Sequence, residues 1–282
     1  MSLVANPAKK ARPGTRSRVF SGVPSYLAAN WPLVLVLGLV AASTIYTATL
    51  RTRSLTSGKA VRNFLSMIGE MLPPDPSVVP DLGKPMWETV VMSVMATVLA
   101  AACAFPLSFL AARTTTPHPL VSVFVKAVFS LFRTIPDLVL AIVFVASVGF
   151  GIVPGILAMG LHSVGSLGKL YGDAIEKADP GLLEAVASCG GSRLQVIVFG
   201  VIPQVFAHAA DFTLYRWEMN FRASTVVGMV GAGGIGFELL VAMRLTKYQQ
   251  AAAILLSILV VVQLVDQFGN LVRSRLVGPA TD

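Results

Sequence analysis

Glu184 to Pro203 reads EAVASCGGSRLQVIVFGVIP, a polar interruption in a chain otherwise apolar enough to live in lipid. Just upstream, Asp179-Pro180-Gly181 supplies an acidic cap with proline in the first turn. Leu182–Ser188, with Glu184 and Ala185 at its centre, then favours a short helix. Gly190-Gly191 breaks it, and Ser192 restarts a second helix carrying Arg193, Gln195 and the apolar Leu194, Val196, Ile197 and Val198. Two short helices about a glycine pair make an elbow, a knob stiff enough to carry force and small enough for a cleft. Glu184 falls on a helix face where it can pair with a basic side chain of the elbow or with a partner. Pro203 opens the next apolar run, where its missing N–H costs little.

The rest of the chain requires a membrane. It is 55% hydrophobic and 13% charged, with a mean hydropathy of +0.74, against about 25% charged residues in an average soluble chain. A net charge of +8, from 22 basic and 14 acidic residues, fits basic residues gathered in cytosolic loops and tails. Nucleic acid is not implied, because no basic stretch is interleaved with aromatics for base stacking. The two cysteines, Cys103 and Cys189, and the three histidines, His118, His162 and His208, match no disulfide framework and no metal-ligand spacing.

Six spans are expected. Trp31–Leu50 is the first; its roughly 20 apolar residues match a bilayer and favour an uncleaved anchor over a cleaved signal peptide. The others are 86–112, Val121–Val148 broken at Arg133-Thr-Ile-Pro136, Ile156–Tyr171, Pro203 to about Val227, and Gln250–Val272. Residues 1–25, rich in basic groups, read as a disordered cytosolic tail. Between the first two spans, Val61, Phe64, Leu65, Ile68 and Leu72 recur at helical spacing and Pro73-Pro74 ends the run. That is an amphipathic helix lying in the outer interface, serving either as a packed loop helix or in docking a binding protein. Residues 26–85 thus form a first helix plus outer loop, and 86–275 the main transmembrane domain. With the tail inside, 179–203 falls on the cytosolic side.

The elbow resembles the EAA loop of bacterial ABC-importer permeases, E-A-A-x3-G-x9-I-x-L-P, with Val186, Gly200 and Ile202 departing from it. Further pieces resemble permeases of phosphonate importers: Leu161-His-Ser-Val-Gly-Ser-Leu-Gly-Lys-Leu170, and Tyr215-Arg216-x-Glu218-x-Asn220-x-Arg222. So do Met71-Leu-Pro-Pro-Asp75, Glu88-Thr89 and Gly228-x-Val-Gly-Ala-Gly-Gly-Ile-Gly236, the last shared with amino-acid and betaine permeases. The resemblance implies an all-α integral membrane protein of about six transmembrane helices with a cytosolic coupling loop, the MetI-like type I importer fold. It implies a homodimer in the bacterial inner membrane, working with ABC ATPase subunits and an extracytoplasmic binding protein. ATP and Mg would sit on the ATPase and no cofactor on this chain. Glu184, Ala185, Gly190, Gly191, Arg193 and Pro203 would carry the coupling.

Charges inside a bilayer are costly and default to function. The fifth span holds Asp211, Arg216, Glu218 and Arg222, the last about 28 Å along the helix from Pro203. Glu218 and Arg222, four apart, can neutralise each other. His162, Ser166, Lys169 and Asp173 form one polar face of the fourth span, beside a small-residue stripe of Gly165, Gly168 and Gly172. Lys169 pairs naturally with Asp173, and Arg133 with Asp137. Arg133, His162, Ser166, Lys169, Arg216, Glu218 and Arg222 are the candidates for a translocation path suited to phosphonate, phosphite or phosphate. Helix-fixing ion pairs are the competing explanation. Methionine, betaine or another zwitterion is the alternative cargo. A membrane enzyme, the other alternative, would need a coherent acid/base or metal constellation at one interface, and none can be assembled. With no carboxylate dyad, nucleophile triad or P-loop, ATP hydrolysis is expected from another chain.

Overall fold

Proline and glycine placement accounts for most of the helix boundaries. The computed structural model describes residues 31–55 and 59–276. The basic tail expected over 1–25 lies outside them, as do the side chains of Trp31, Arg51 and Arg53. Every regular element among the described residues is helical, and two units divide after Ser66.

In the first unit, α1 (Trp31–Leu55) is 25 residues long, and every described side chain from Val34 to Ala48 is exposed. An apolar helix without protein cover belongs in hydrocarbon. α2 (Lys59–Glu70) is the amphipathic segment that the spacing predicts. Val61, Phe64, Leu65 and Ile68 on its apolar side are all exposed. The helix stops ahead of Pro73-Pro74, as proline requires.

The second unit begins within α2, at Met67, and continues into a 3₁₀ turn, Pro76–Leu82, after Asp75, whose carboxylate accepts the Ser77 N–H at 2.9 Å. The Ser77 hydroxyl and N–H together hold Asp75 below the usual carboxylate range. α3 (Gly83–Ala111) buries Met92, Ala96, Ala100 and Ala104 at spacings of four. This small-residue face lies along α6 (Ile152–Glu176). In lipid such faces associate by close packing, not by excluding water.

α4 (Pro119–Thr134) meets α6 through the expected glycine stripe. A Cβ on Gly168 would lie 2.3 Å from the Phe129 ring, and one on Gly165 2.4 Å from the Phe129 carbonyl oxygen. Gly172 is looser, 3.8 Å from the Ala111 methyl. Pro136 disfavours helical geometry at Ile135, which is extended. α5 (Asp137–Val148) therefore leaves at 84° to α4.

Beyond α7 (Pro180–Ser188), a single turn α8 (Arg193–Gln195) runs through a π-helical stretch, Val196–Val201, into α9 (Ile202–Val227). The expectation that a span starts at Pro203 is corrected here. The helical run begins at Arg193 and continues through α9 to Val227, with Pro203 inside it. The wide turn explains how: Ile202 N–H reaches the Ile197 carbonyl, so the ladder is already reset where the proline ring would disrupt it. Sequence reading also left residues 228–249 without a helix, yet α10 (Gly234–Arg244) lies there, before α11 (Tyr248–Leu276).

Pro76–Ala111, Arg193–Ala232 and Tyr248–Arg275 are long and apolar enough to cross a bilayer, and α4 with α5 adds a bent fourth. α6, expected as a span over 156–171, is enclosed by α3, α4, α5 and α9. A helix wrapped in protein can carry glycine and polar residues that lipid would reject.

Candidate functional site

The elbow is built as its residues dictate. Asp179 caps α7 by accepting the Gly181 N–H at 2.9 Å. Gly190 takes φ +81°, a left-handed geometry that favours glycine at the corner. Ser192 and Gln195 then close a capping box, with Ser192 N–H donating to Gln195 Oε1 at 2.7 Å. The roots are tied down. Asp179 N–H donates to Gln204 Oε1 at 2.8 Å, and Leu183 packs on the cluster of Phe129, Tyr171 and Val205. Arg193 Nη2 donates to the Thr116 carbonyl at 2.6 Å and to that of Thr115 at 3.4 Å. Arg193 thus grips the α3–α4 connection instead of projecting freely. Glu184 and Ala185 are exposed, with Leu182, Leu194 and Phe199. No ion pair to Glu184 occurs among the described residues, so the pairing expected within the elbow is absent.

The intramembrane charges pair differently from the sequence expectation. Arg222 Nη2 donates to both oxygens of Asp266 on α11, at 2.6 and 2.7 Å, and not to Glu218. Glu218 instead meets Arg273 at 3.5 Å, and Arg273 also binds Asp211. The reason is helix geometry. Arg222, Glu218 and Asp211 share the face of α9 turned to α11, where Asp266 and Arg273 sit seven residues apart. Lys169 and Asp173 form no ion pair, and neither do Arg133 and Asp137. Asp137 accepts its own neighbour's N–H, from Leu138 at 2.9 Å. Lys126 on α4 takes Glu176 at 2.7 Å, and Glu176 also accepts the Arg113 N–H at 2.9 Å.

Arg216 anchors a polar seam through the packed helices. Its Nε donates to Ser163 Oγ at 2.8 Å, and Ser163 donates to Asn220 Oδ1 at 2.9 Å. Asn220 Nδ2 donates to Thr97 Oγ1 at 2.9 Å, and Trp217 Nε1 to Ser93 Oγ at 3.2 Å. Ser93, Ser163 and Asn220 are fully buried. Ser93, Thr97 and Ser163 were missed as seam residues; the available signal was hydroxyls four apart, Ser93 and Thr97, in an apolar span. The other expected path residues lie close by. His162 Nδ1 donates to the Ile135 carbonyl at 3.0 Å, pinning the break between α4 and α5. Ser166 Oγ reaches only the His162 carbonyl, at 3.4 Å.

At the opposite end of α6, two quoted motifs prove to be one site. Gly234 N–H donates to Glu88 Oε2 at 3.3 Å and Ile235 N–H to Thr89 Oγ1 at 2.9 Å. α3 thereby caps α10. Gly231 and Gly233 hold positive φ in the turn between α9 and α10, and the Gly231 carbonyl accepts the Gly151 N–H at 3.1 Å. Among the described residues no group of three or more His, Cys, Asp or Glu could hold a metal.

Long apolar helices, a broken pair around a glycine-lined central helix, and a capped elbow define a helical membrane permease. The fold is similar to the "MetNI methionine ABC transporter" in its inward-facing form: TM-score 0.60 at 20% identity, covering 69% of this chain and 95% of that one. Residues 104–278 match the family described as "Binding-protein-dependent transport system inner membrane component", and the chain belongs to that family. It is 44% identical to the phosphite transport system permease protein PtxC of Stutzerimonas stutzeri, over 86% of this chain and 88% of that protein. It is 41% identical to the phosphate-import permease protein PhnE of Mycolicibacterium smegmatis, over 77% of this chain and 41% of that protein. The chain is a transport component of the inner membrane.

Proposed function

We propose that this chain is the permease of an ATP-driven importer for a phosphorus oxyanion: phosphite, phosphate or phosphonate. The observation that carries this reading is the 44% identity with a phosphite permease over 86% of the chain. In the working assembly two copies face each other in lipid, an extracytoplasmic binding protein delivers the solute, and two ABC ATPase subunits hydrolyse ATP with Mg. This chain holds no cofactor. The elbow is the EAA loop, on the cytosolic side with the N-terminus. Its outward surface, Glu184 with Leu182 and Leu194, docks in the ATPase, and its roots carry the ATPase's movement into the helices. Gly190 and Gly191 shape the corner, and Ala185 keeps the docking face small. Arg133, His162, Ser166, Lys169 and Arg216 flank the path. Glu218 and Arg222 serve the helix pairing beside it.

The mechanism is alternating access without covalent chemistry. Donors beside the path replace part of the oxyanion's hydration but must hold it weakly enough for it to leave. The test is uptake by proteoliposomes containing permease, ATPase and binding protein, with labelled phosphite, phosphate, methylphosphonate, methionine and betaine. Oxyanion uptake that Glu184→Lys uncouples from ATP hydrolysis is the expected result. Uptake of methionine or betaine alone would overturn the cargo, and full coupling in Glu184→Lys would overturn the role of the elbow.

A further inference from the structure

α4 and α6 flank a partly open cavity of ≈ 200 Å³ along the middle of their contact. One face of α4 supplies Lys126, Ser130 and Arg133, and one face of α6 supplies Lys169 and Asp173, with the Phe129 ring beside Gly168. Three cations against one carboxylate make the lining electropositive. Lys126 is tied to Glu176 at 2.7 Å. Arg133 and Lys169 have no carboxylate within ion-pair distance among the described residues. Unpaired cations on segments that cross lipid are costly and imply something that offsets them. Two such cations, on facing helices, line the same cavity.

We propose that Arg133, Lys169 and Ser130 form a low-affinity binding subsite for a tetrahedral phosphorus oxyanion between α4 and α6. A cavity of ≈ 200 Å³ has room for phosphite or phosphate with part of its hydration. Arg133 offers a planar fork to two oxygens, Lys169 a point charge and Ser130 a hydroxyl. Asp173 on the same wall repels the anion, so occupancy is weak, as release demands. The proposal rests on the reading of the chain as an oxyanion permease. It adds Lys126 and Ser130 to the residues in play and separates Arg133 and Lys169 from the Arg216 seam.

A phosphate group can also come from a lipid head, and the experiment distinguishes the two. The permease–ATPase complex, without nucleotide or binding protein, is placed in nanodiscs of phosphatidylcholine alone or with phosphatidylglycerol. Binding of inorganic phosphite and phosphate is then measured by equilibrium dialysis. The expected result is millimolar-range binding in both lipids, weakened about 10-fold or more by Arg133→Gln or Lys169→Gln. The surface control Lys177→Gln is expected to bind as the parent does, and both Gln variants are expected to unfold at the parent's temperature, which separates a lost site from a damaged fold. Unchanged binding in both Gln variants overturns the subsite. Binding in phosphatidylcholine that phosphatidylglycerol abolishes overturns it in favour of a lipid headgroup. If the parent transports oxyanions while these variants bind and import normally, only the subsite falls. If the parent imports none of them, the oxyanion reading itself falls.

Discussion

Arg193, the first residue of α8, donates to the Thr116 carbonyl at 2.6 Å, joining the elbow to the connection between α3 and α4. His118, two residues on, caps α4 by accepting the Leu120 N–H at 3.2 Å. Any displacement of the elbow therefore pulls on α4 as well as on α9, to which the elbow is continuous. Removing the guanidinium in Arg193→Ala cuts one of these routes. ATP hydrolysis is expected to persist while solute moved per ATP falls several-fold, in line with about 1.5–3 kcal/mol for a charged hydrogen bond, less here because the side chain is exposed. Parallel uptake and phosphate-release assays in proteoliposomes check this; an unchanged ratio rejects the route.

The Arg222–Asp266 pair predicts a charge-swap rescue. Reversing either charge alone places like charges together between α9 and α11, whereas Arg222→Asp with Asp266→Arg restores opposite ones. The double variant is expected to be more stable than the single variants sum to, by about 0.5–3 kcal/mol. Thermal unfolding in detergent measures it, and strict additivity would refute the contact.

Asn220 bridges Ser163 and Thr97, and all three are buried between the helices. Asn220→Leu removes the acceptor of the buried Ser163 hydroxyl and a donor to Thr97, whose own hydroxyl still donates to the Ser93 carbonyl, and is expected to cost about 1–3 kcal/mol. The transition should fall by about 2–4 °C for each kcal/mol. A variant as stable as the parent would mean that the seam contributes nothing to the fold.

Gly168 faces the Phe129 ring so closely that an added Cβ falls 2.3 Å away. Gly168→Leu should not accumulate in the membrane, and adding Phe129→Ala should recover a measurable fraction. Yield by gel filtration after extraction reports the outcome, and no difference between the single and double variants counts against the contact.

The elbow was legible because its signals are local. Asp179, Pro180, the glycine pair and Ser192 act on backbone groups a few residues away, so their order alone predicts a capped helix, a corner and a second cap. The glycine stripe on α6 was legible for the same reason: spacing places Gly165 and Gly168 on one face whatever packs there. Periodicity marked out α2, and the length of their apolar runs marked out α3 and α11.

The partner of each charged side chain was not legible. Glu218 and Arg222 satisfy the four-residue rule, yet both turn to α11, because a residue 44 positions away can lie closer than one helical turn. α10 was hidden by its glycines, which read as loop until Glu88 and Thr89, from a distant helix, cap its first turn. Pro203 read as a helix start because a proline inside a helix needs a wide turn that depends on how the elbow packs. Composition and short-range capping determined by themselves that this chain is helical, membrane-bound and elbowed. Which charges meet, where α4 and α5 bend apart, and which cations share a cavity were decided by packing, since those contacts exist only once distant helices are side by side.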